Sequence, residues 1–212
     1  MRNKDMEKSC ADCAVVGCRA QGGLHPDFCP GRNLSQQQKE EVNNLYLHEE
    51  INKVAMAAAE VEGYFYGQMT RVEECMEFAR RIGAKKIGLA ICAGLMREGH
   101  IVASILRSND FKVYGICCKV GALTKAELNV DANCIRYEGE CICNPLMQAH
   151  LLNQQQTDLN IVVGLCVGHD SLFYKYSHAL CTTLVTKDRV LGHNPAAALY
   201  TVKSYYKKLL QD

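Results

Sequence analysis

The sequence predicts an α/β fold, an open and mostly parallel sheet flanked by helices, preceded by a cysteine-rich metal-binding extension. Three observations carry this. From residue 84 onward, short apolar runs alternate with amphipathic stretches; three of those runs end in cysteine followed closely by glycine; and the first 29 residues hold Cys10-x2-Cys13-x4-Cys18-x10-Cys29.

Residues 1–34 form the first segment. Gly17, Gly22, Gly23, Pro26, Pro30 and Gly31 break any periodicity there, so a bound metal has to replace the missing core. Four thiolates at this spacing enclose one Zn²⁺ tetrahedrally or hold one iron-sulfur cluster, and spacing does not separate the two. Cys10, Cys13, Cys18 and Cys29 are the candidate ligands.

Residues 35–83 read as a helical segment packing on the core. Ser35 with Gln38 and Thr70 with Glu73 are capping-box pairs, and apolar residues recur at Val42, Leu45, Val54, Ala58 and Val61. Gly83 supplies a helix stop. Cys75 shares a helix face with Val72, Met76 and Ala79, which is a core placement.

Residues 84–212 form the α/β domain. Strands are expected at 86–92, 112–117, 160–166 and 181–187, with helices near 95–107, 145–156, 171–178 and 195–210. Near-continuous apolar strands between amphipathic helices imply a parallel sheet covered on both faces, a Rossmann-like three-layer arrangement. Right-handed crossovers then put the carboxyl ends of the strands along one edge, where open α/β sheets bind ligands.

The second group of cysteines falls on that edge. The strands end in Cys92-Ala-Gly94, Cys117-Cys118-Lys-Val-Gly121 and Cys166-Val-Gly168, and two further loops, Cys141-Ile-Cys143-Asn144-Pro145 and His193-Asn194-Pro195, feed the same region. Glycine permits a tight turn and close approach of backbone N–H groups to a ligand. Asn before Pro is a helix start, so Asn144 and Asn194 are expected caps, with Cys143 and His193 just ahead of helix N-termini that favour anions and thiolates. His169 is a candidate ligand or proton carrier, with Asp170 capping a helix that starts near Ser171. The plain alternative is that free cysteine fills a sheet core as a small hydrophobe and the Asn-Pro pairs only punctuate helices.

Composition limits the function classes. The 212 residues carry 13 cysteines, 24 Lys and Arg against 23 Asp and Glu, no Trp and five Phe. A net charge of +1 gives no footing for nucleic acid or a membrane surface, so a small-molecule or redox partner is the expectation. The charged amino-terminal stretch has no apolar signal core and no run spans a bilayer, which predicts a cytoplasmic protein with reduced thiols. Phosphate-loop, dinucleotide, zinc-protease and esterase motifs are all lacking.

The cysteine-rich start, together with CKVG (118–121), CNPLMQAHLLN (143–153), DLNIVVGLCVGHDSLFYKYS (158–177) and KDRVLGHNPAAAL (187–199), resembles domain-of-unknown-function family 1847, described as uncharacterised metal-binding proteins of bacteria and archaea. The resemblance supports the four N-terminal cysteines as ligands and puts Cys117, Cys118, Cys143, Cys166, His169, Asn144 and Asn194 within family-like motifs. It implies no substrate.

Three readings follow. One is a metal or iron-sulfur redox protein, with a cofactor on the N-terminal cysteines and a reactive or second metal centre at the strand ends, where Cys117, Cys118, Cys166 and His169 do chemistry and Cys92, Cys141 and Cys143 ligate. Another is a zinc-stabilised α/β domain that binds an anionic small molecule through Gly94, Gly121, Gly168, Asn144, His193 and Asn194. The third is a metal-handling or sensing protein. Oligomeric state is open.

Overall fold

The computed structural model describes residues 7–210 and divides into two compact units, Met1–Met56 and Ala57–Asp212. Among the described residues no helix is long and apolar enough to cross a membrane.

In the first unit, three single 3-10 turns at Cys10–Asp12, Gly17–Arg19 and Pro30–Arg32 precede helix α1 (Gln36–Leu45). None of these four elements contains a buried residue. The Ser35 hydroxyl accepts from the Gln38 amide and the Gln38 side chain accepts from the Ser35 amide, the predicted capping box. Helix α2 (Glu49–Phe65) runs across the boundary between the units and buries Ala57 and Val61 in the second.

The second unit is the α/β domain. Helix α3 (Arg71–Arg81) opens on the Thr70–Glu73 pair, buries Cys75, Met76 and Ala79, and ends at Gly83 with φ +80°. Then follow β1 (Lys86–Ile91), α4 (Met96–Arg107), β2 (Lys112–Cys117), α5 (Pro145–Gln154), β3 (Leu159–Val163), α6 (His169–Tyr176), β4 (Leu180–Val185) and α7 (Ala196–Tyr200). The four strands make one parallel sheet in the order β2-β1-β3-β4.

The apolar runs dictate this order of burial. β1 and β3, the most uniformly apolar runs, lie in the middle, and Ile87, Leu89, Ile161, Val162 and Val163 are almost fully buried. Each such side chain contributes about 1.5–3 kcal/mol. β2 and β4 are the more exposed edges. Gly88 lets β1 run close beside β3: a Cβ there would stand 2.0 Å from Asn160 Oδ1. Right-handed crossovers put α4 on one face and α5 with α6 on the other.

The chain leaves β1 for β2, then crosses back over β1 to β3, so the direction of winding reverses between β1 and β3. That reversal is the switch point at which open sheets form a ligand crevice. A register shift between Val162 and Val163 distorts the β3–β4 pairing at the same end.

Three expectations are corrected. The helix expected over 195–210 is only Ala196–Tyr200, followed by turns and a 3-10 turn at Lys207–Leu209, because Thr201 leaves the helical backbone region (φ −109°, ψ 14°) with its hydroxyl donating back to the Ala197 carbonyl at 2.6 Å. Asn194 does not cap it; the cap position is Pro195, with no side-chain bond. Helix α6 begins at His169, two residues before Ser171, because Gly168 with φ +84° turns the chain early; Asp170 then bonds the Ser171 amide from inside the first turn.

Candidate metal centre

Five side chains come together at the carboxyl edge of the sheet, where β2, β1 and β3 end. Cys92 directly follows β1 and extends its ladder, its N–H donating to the Val163 carbonyl at 3.0 Å. Cys118 follows β2, and its N–H donates to the Ile91 carbonyl at 2.8 Å. Its sulfur accepts from the Ala93 amide at 3.2 Å, and the residue is 1% exposed.

Cys143 arrives on the long connection between β2 and α5. Glu140 pins that connection: its carboxylate takes Arg136 Nη2 at 2.6 Å, Lys125 Nζ at 3.0 Å and the Arg136 amide at 2.8 Å, while its carbonyl takes the Lys125 amide. An antiparallel bridge pairs Thr124 with Cys141. Asn144 caps α5 as expected, its Oδ1 accepting from the Met147 amide at 3.0 Å, and Pro145 is the first helical residue.

Cys166 and His169 come from the turn between β3 and α6, closed by His169 N–H to the Cys166 carbonyl at 2.9 Å. Gly168 supplies the positive φ this turn needs. Among the described residues, the ligand atoms of Cys143, Cys166 and His169 form the one group of three lying within 4.8 Å of one another. His169 Nδ1 is buried without a hydrogen-bond partner, an arrangement that costs about 1–3 kcal/mol unless something binds there.

The electrostatics sort the thiols. A hydrogen bond from Cys118, opposed by burial and aided by the Lys119 charge, brings the Cys143 thiol down to about 7. The same bond pushes Cys118 up to about 11, and the bond to Cys118 together with burial drives Cys92 far above an ordinary thiol. The three sulfurs therefore form a row in which Cys92 and Cys118 keep their protons and Cys143 is the thiol that ionises most readily. Burial, with the Lys119 charge, lowers His169, which favours the neutral imidazole that a metal requires.

The remaining predicted residues have these positions. Cys117 ends the edge strand β2, half-buried, and stands outside the group, because successive side chains of an extended chain point to opposite faces. The Cys141 sulfur donates to the Ala122 carbonyl at 3.4 Å and is likewise outside it. Gly94 is exposed just beyond Cys92, and Gly121 (φ +81°) packs near Asn144 and Met147. His193 Nδ1 accepts from the Asp188 amide at 3.2 Å, which commits it to its own loop.

In the first unit, Cys10, Cys13, Cys18 and Cys29 line a single cavity of about 80 Å³ with His25 and Phe28. Val16 N–H donates to the Cys13 sulfur at 3.4 Å, and the Cys29 sulfur lies 3.7 Å from His25 Nδ1. Among the described residues these cysteines do not form a group of three ligand atoms within 4.8 Å of one another, as the sheet-edge residues do.

Residues that the sequence reading passed over surround the sheet-edge group. Arg189 Nη2 donates to the Cys166 sulfur at 2.8 Å. Lys119 Nζ bonds the Cys141 carbonyl, and Lys187 Nζ stands 3.4 Å from where a Cβ on Gly94 would be. Gln148, fully buried, donates from Nε2 to the carbonyls of Ile116 (2.8 Å) and Ile91 (3.3 Å), tying α5 to the ends of β1 and β2. The available signal was position: each cation follows a strand end by two to four residues.

Fold and site define a cysteine-rich α/β protein with a thiol and imidazole group of metal-ligand spacing at the switch point of a parallel sheet. The chain belongs to the family described as Protein of unknown function (DUF1847), whose model matches residues 29–184. It is similar to the uncharacterized protein MJ0455 of Methanocaldococcus jannaschii, at 46% identity over 181 residues covering 85% of this chain and 92% of that protein. No solved structure matches. The matched segment contains Cys92, Cys118, Cys143, Cys166 and His169, whereas Cys10, Cys13 and Cys18 precede it.

Proposed function

We propose that this is a thiolate-ligated metal protein whose working centre is held by Cys143, Cys166 and His169 at the carboxyl edge of the sheet. One observation carries the reading: three ligand atoms from two separate connections lie within 4.8 Å of one another, and one of these ligands, His169, has a buried ring nitrogen with no partner.

The donor set fits a thiophilic divalent ion such as Zn²⁺, for which two thiolates and an imidazole leave a fourth position open to a small molecule. Such an ion, when bound, supplies Lewis acidity or, if redox-active, a route for electrons. The chain's own residues do the rest. Cys143 is available as thiolate near neutral pH, and Cys118 steadies it by donating a hydrogen bond. The Cys166–Gly168–His169 turn holds two ligands at a set spacing, and Gln148 and Asn144 hold the Cys143 connection against the strand ends.

A second reading is favoured by the row of sulfurs itself. Cys92, Cys118, Cys143 and Cys166 supply four thiols at one edge, the number that an iron-sulfur cluster takes. In either case the shared N-terminal cavity supports a separate zinc or iron-sulfur site on Cys10, Cys13, Cys18 and Cys29, and the partner is a small molecule or an electron donor or acceptor.

Metal analysis with absorption and EPR spectra, on protein purified without oxygen, tests the reading. Cys143→Ser and His169→Ala variants should each lose metal that Cys13→Ser keeps. Iron with absorption near 400 nm selects the cluster, and colourless zinc selects the mononuclear site. Full metal content in both sheet-edge variants would refute a centre there.

A further inference from the structure

We propose that the carboxyl edge of the sheet binds a small anion bearing a carboxylate or phosphate group, gripped by Lys187 and Arg189 with Lys119 beside them. The inference rests on the reading of Cys143, Cys166 and His169 as a metal centre and names the class of molecule that centre serves.

Charge and position carry it. Lys119 follows β2, Lys187 and Arg189 follow β4, and all three surround the thiol group. The Lys119 charge acts on Cys143 and His169, the Lys187 charge on Cys92, and the Arg189 charge on His169. Two thiolates and a neutral imidazole around a divalent ion carry no net charge, so these cations are not needed to balance the centre.

Nor do carboxylates balance them. Among the described residues none of the three takes part in an ion pair. The two nearby acids are turned to backbone: Asp170 accepts from the Ser171 amide at 2.8 Å, and Asp188 from the Val190 and Leu191 amides at 2.9 and 2.7 Å. Arg189 has only a sulfur as its partner, a poor acceptor for a planar guanidinium that prefers two oxygens.

Lys187 is also placed next to the thiols by backbone contact. Lys187 Nζ faces the bare backbone of Gly94, in the half of the edge that belongs to the β1–β3 reversal, and a Cβ on Gly94 would be 4.0 Å from the Cys92 sulfur. A carboxylate or phosphate held by these cations would therefore sit at the same edge as Cys166 and Cys92, with its other end available to the metal centre if one is bound there. Charge-assisted hydrogen bonds of this kind contribute selectivity for the anion over neutral analogues.

The test is titration calorimetry of metal-loaded, anaerobically purified protein with inorganic phosphate and, separately, acetate, beside Lys187→Met, Arg189→Gln and the control Lys112→Met at the opposite edge of the sheet. Metal content and thermal unfolding are read on every sample. The expected result is saturable one-to-one binding of at least one probe, weakened roughly tenfold or more in Lys187→Met and Arg189→Gln and unchanged in Lys112→Met. The stronger probe tells phosphoryl from carboxyl recognition. Metal-loaded protein that binds neither probe, or variants that bind as the parent does, would overturn the proposal. So would Lys187→Met protein that is folded but depleted of metal with unaltered anion binding, since the cations would then serve the thiolates. Lys187-dependent phosphate binding by protein devoid of metal would sustain the anion site and sink the metal reading instead.

Discussion

The Asn144 amide donates to the Cys118 carbonyl at 2.7 Å, so the residue after Cys143 is stitched to the backbone just beyond β2. One residue thus serves two ends: Asn144 Oδ1 starts helix α5, and its backbone N–H holds Cys143 beside Cys118. Replacement by Ala should cost about 1 kcal/mol through the lost cap, read as a lower denaturation midpoint. Metal content should fall with it, whereas Asn144→Ser, which can still cap, should restore most of both.

Gly168 separates the two ligands of the second turn and holds φ +84°. A Cβ there meets no neighbouring atom, so the cost of Gly168→Ala is conformational, about 1–3 kcal/mol. The variant should fold yet bind metal more weakly, because relaxing φ moves Cys166 relative to His169. Equal metal affinity in a competition titration would show that the turn geometry is not limiting.

Phe173 lies one helical turn after His169 and is completely buried. Phe173→Ala should destabilise the domain by about 3–5 kcal/mol. Helix α6 should exchange its amide hydrogens faster than α4, since α6 loses its anchor while α4 keeps Val102 and Leu106 in the core.

Glu140 gives a pH dependence whose sign is fixed. Hydrogen bonds from Arg136, with help from Lys125, bring its carboxyl down to about 2 in the folded protein, against about 4.3 for an unfolded Glu. A depressed folded value means the contribution is complete above about 4.3 and is lost as pH falls through that value toward about 2. Glu140→Gln should flatten the loss of stability over that window, and acid should free the 118–144 connection before the sheet melts.

The N-terminal segment should answer to metal alone. Its three 3-10 turns bury nothing, so chelator treatment should open residues 9–32 to protease while the β-sheet signal is retained. Loss of the sheet signal at the same chelator concentration would contradict this.

Much of this protein is written in local pattern. The apolar runs KIGLAI and KVYGIC became strands within a residue of where periodicity put them, because a strand buried on both faces needs an uninterrupted apolar stretch; LNIVV stopped at Val163, three residues short of the expected 166, where Gly164 takes a positive φ of +72°. The capping boxes at Ser35 and Thr70, the Asn144-Pro145 start and the buried face of Cys75 were equally legible, since each depends on neighbours within four residues. The concentration of cysteines at strand ends was visible too, and followed from parallel topology alone.

What local pattern left open was which thiols meet. Adjacent Cys117 and Cys118 read alike in a string, yet the pleat turns one toward Cys143 and the other away. His169, a candidate ligand or proton carrier, and His193, a candidate for anion binding, were both in play until the Gly168 turn put one into the group and the Asp188 loop claimed the other. Lys119, Lys187 and Arg189 gain meaning only from the strand order, which brings residues tens of positions apart to one edge, and the Glu140 pin emerges only where its two cations converge. Pattern along the chain specifies elements because their energetics are local; the site was decided by packing, because ligand geometry is a relation between elements.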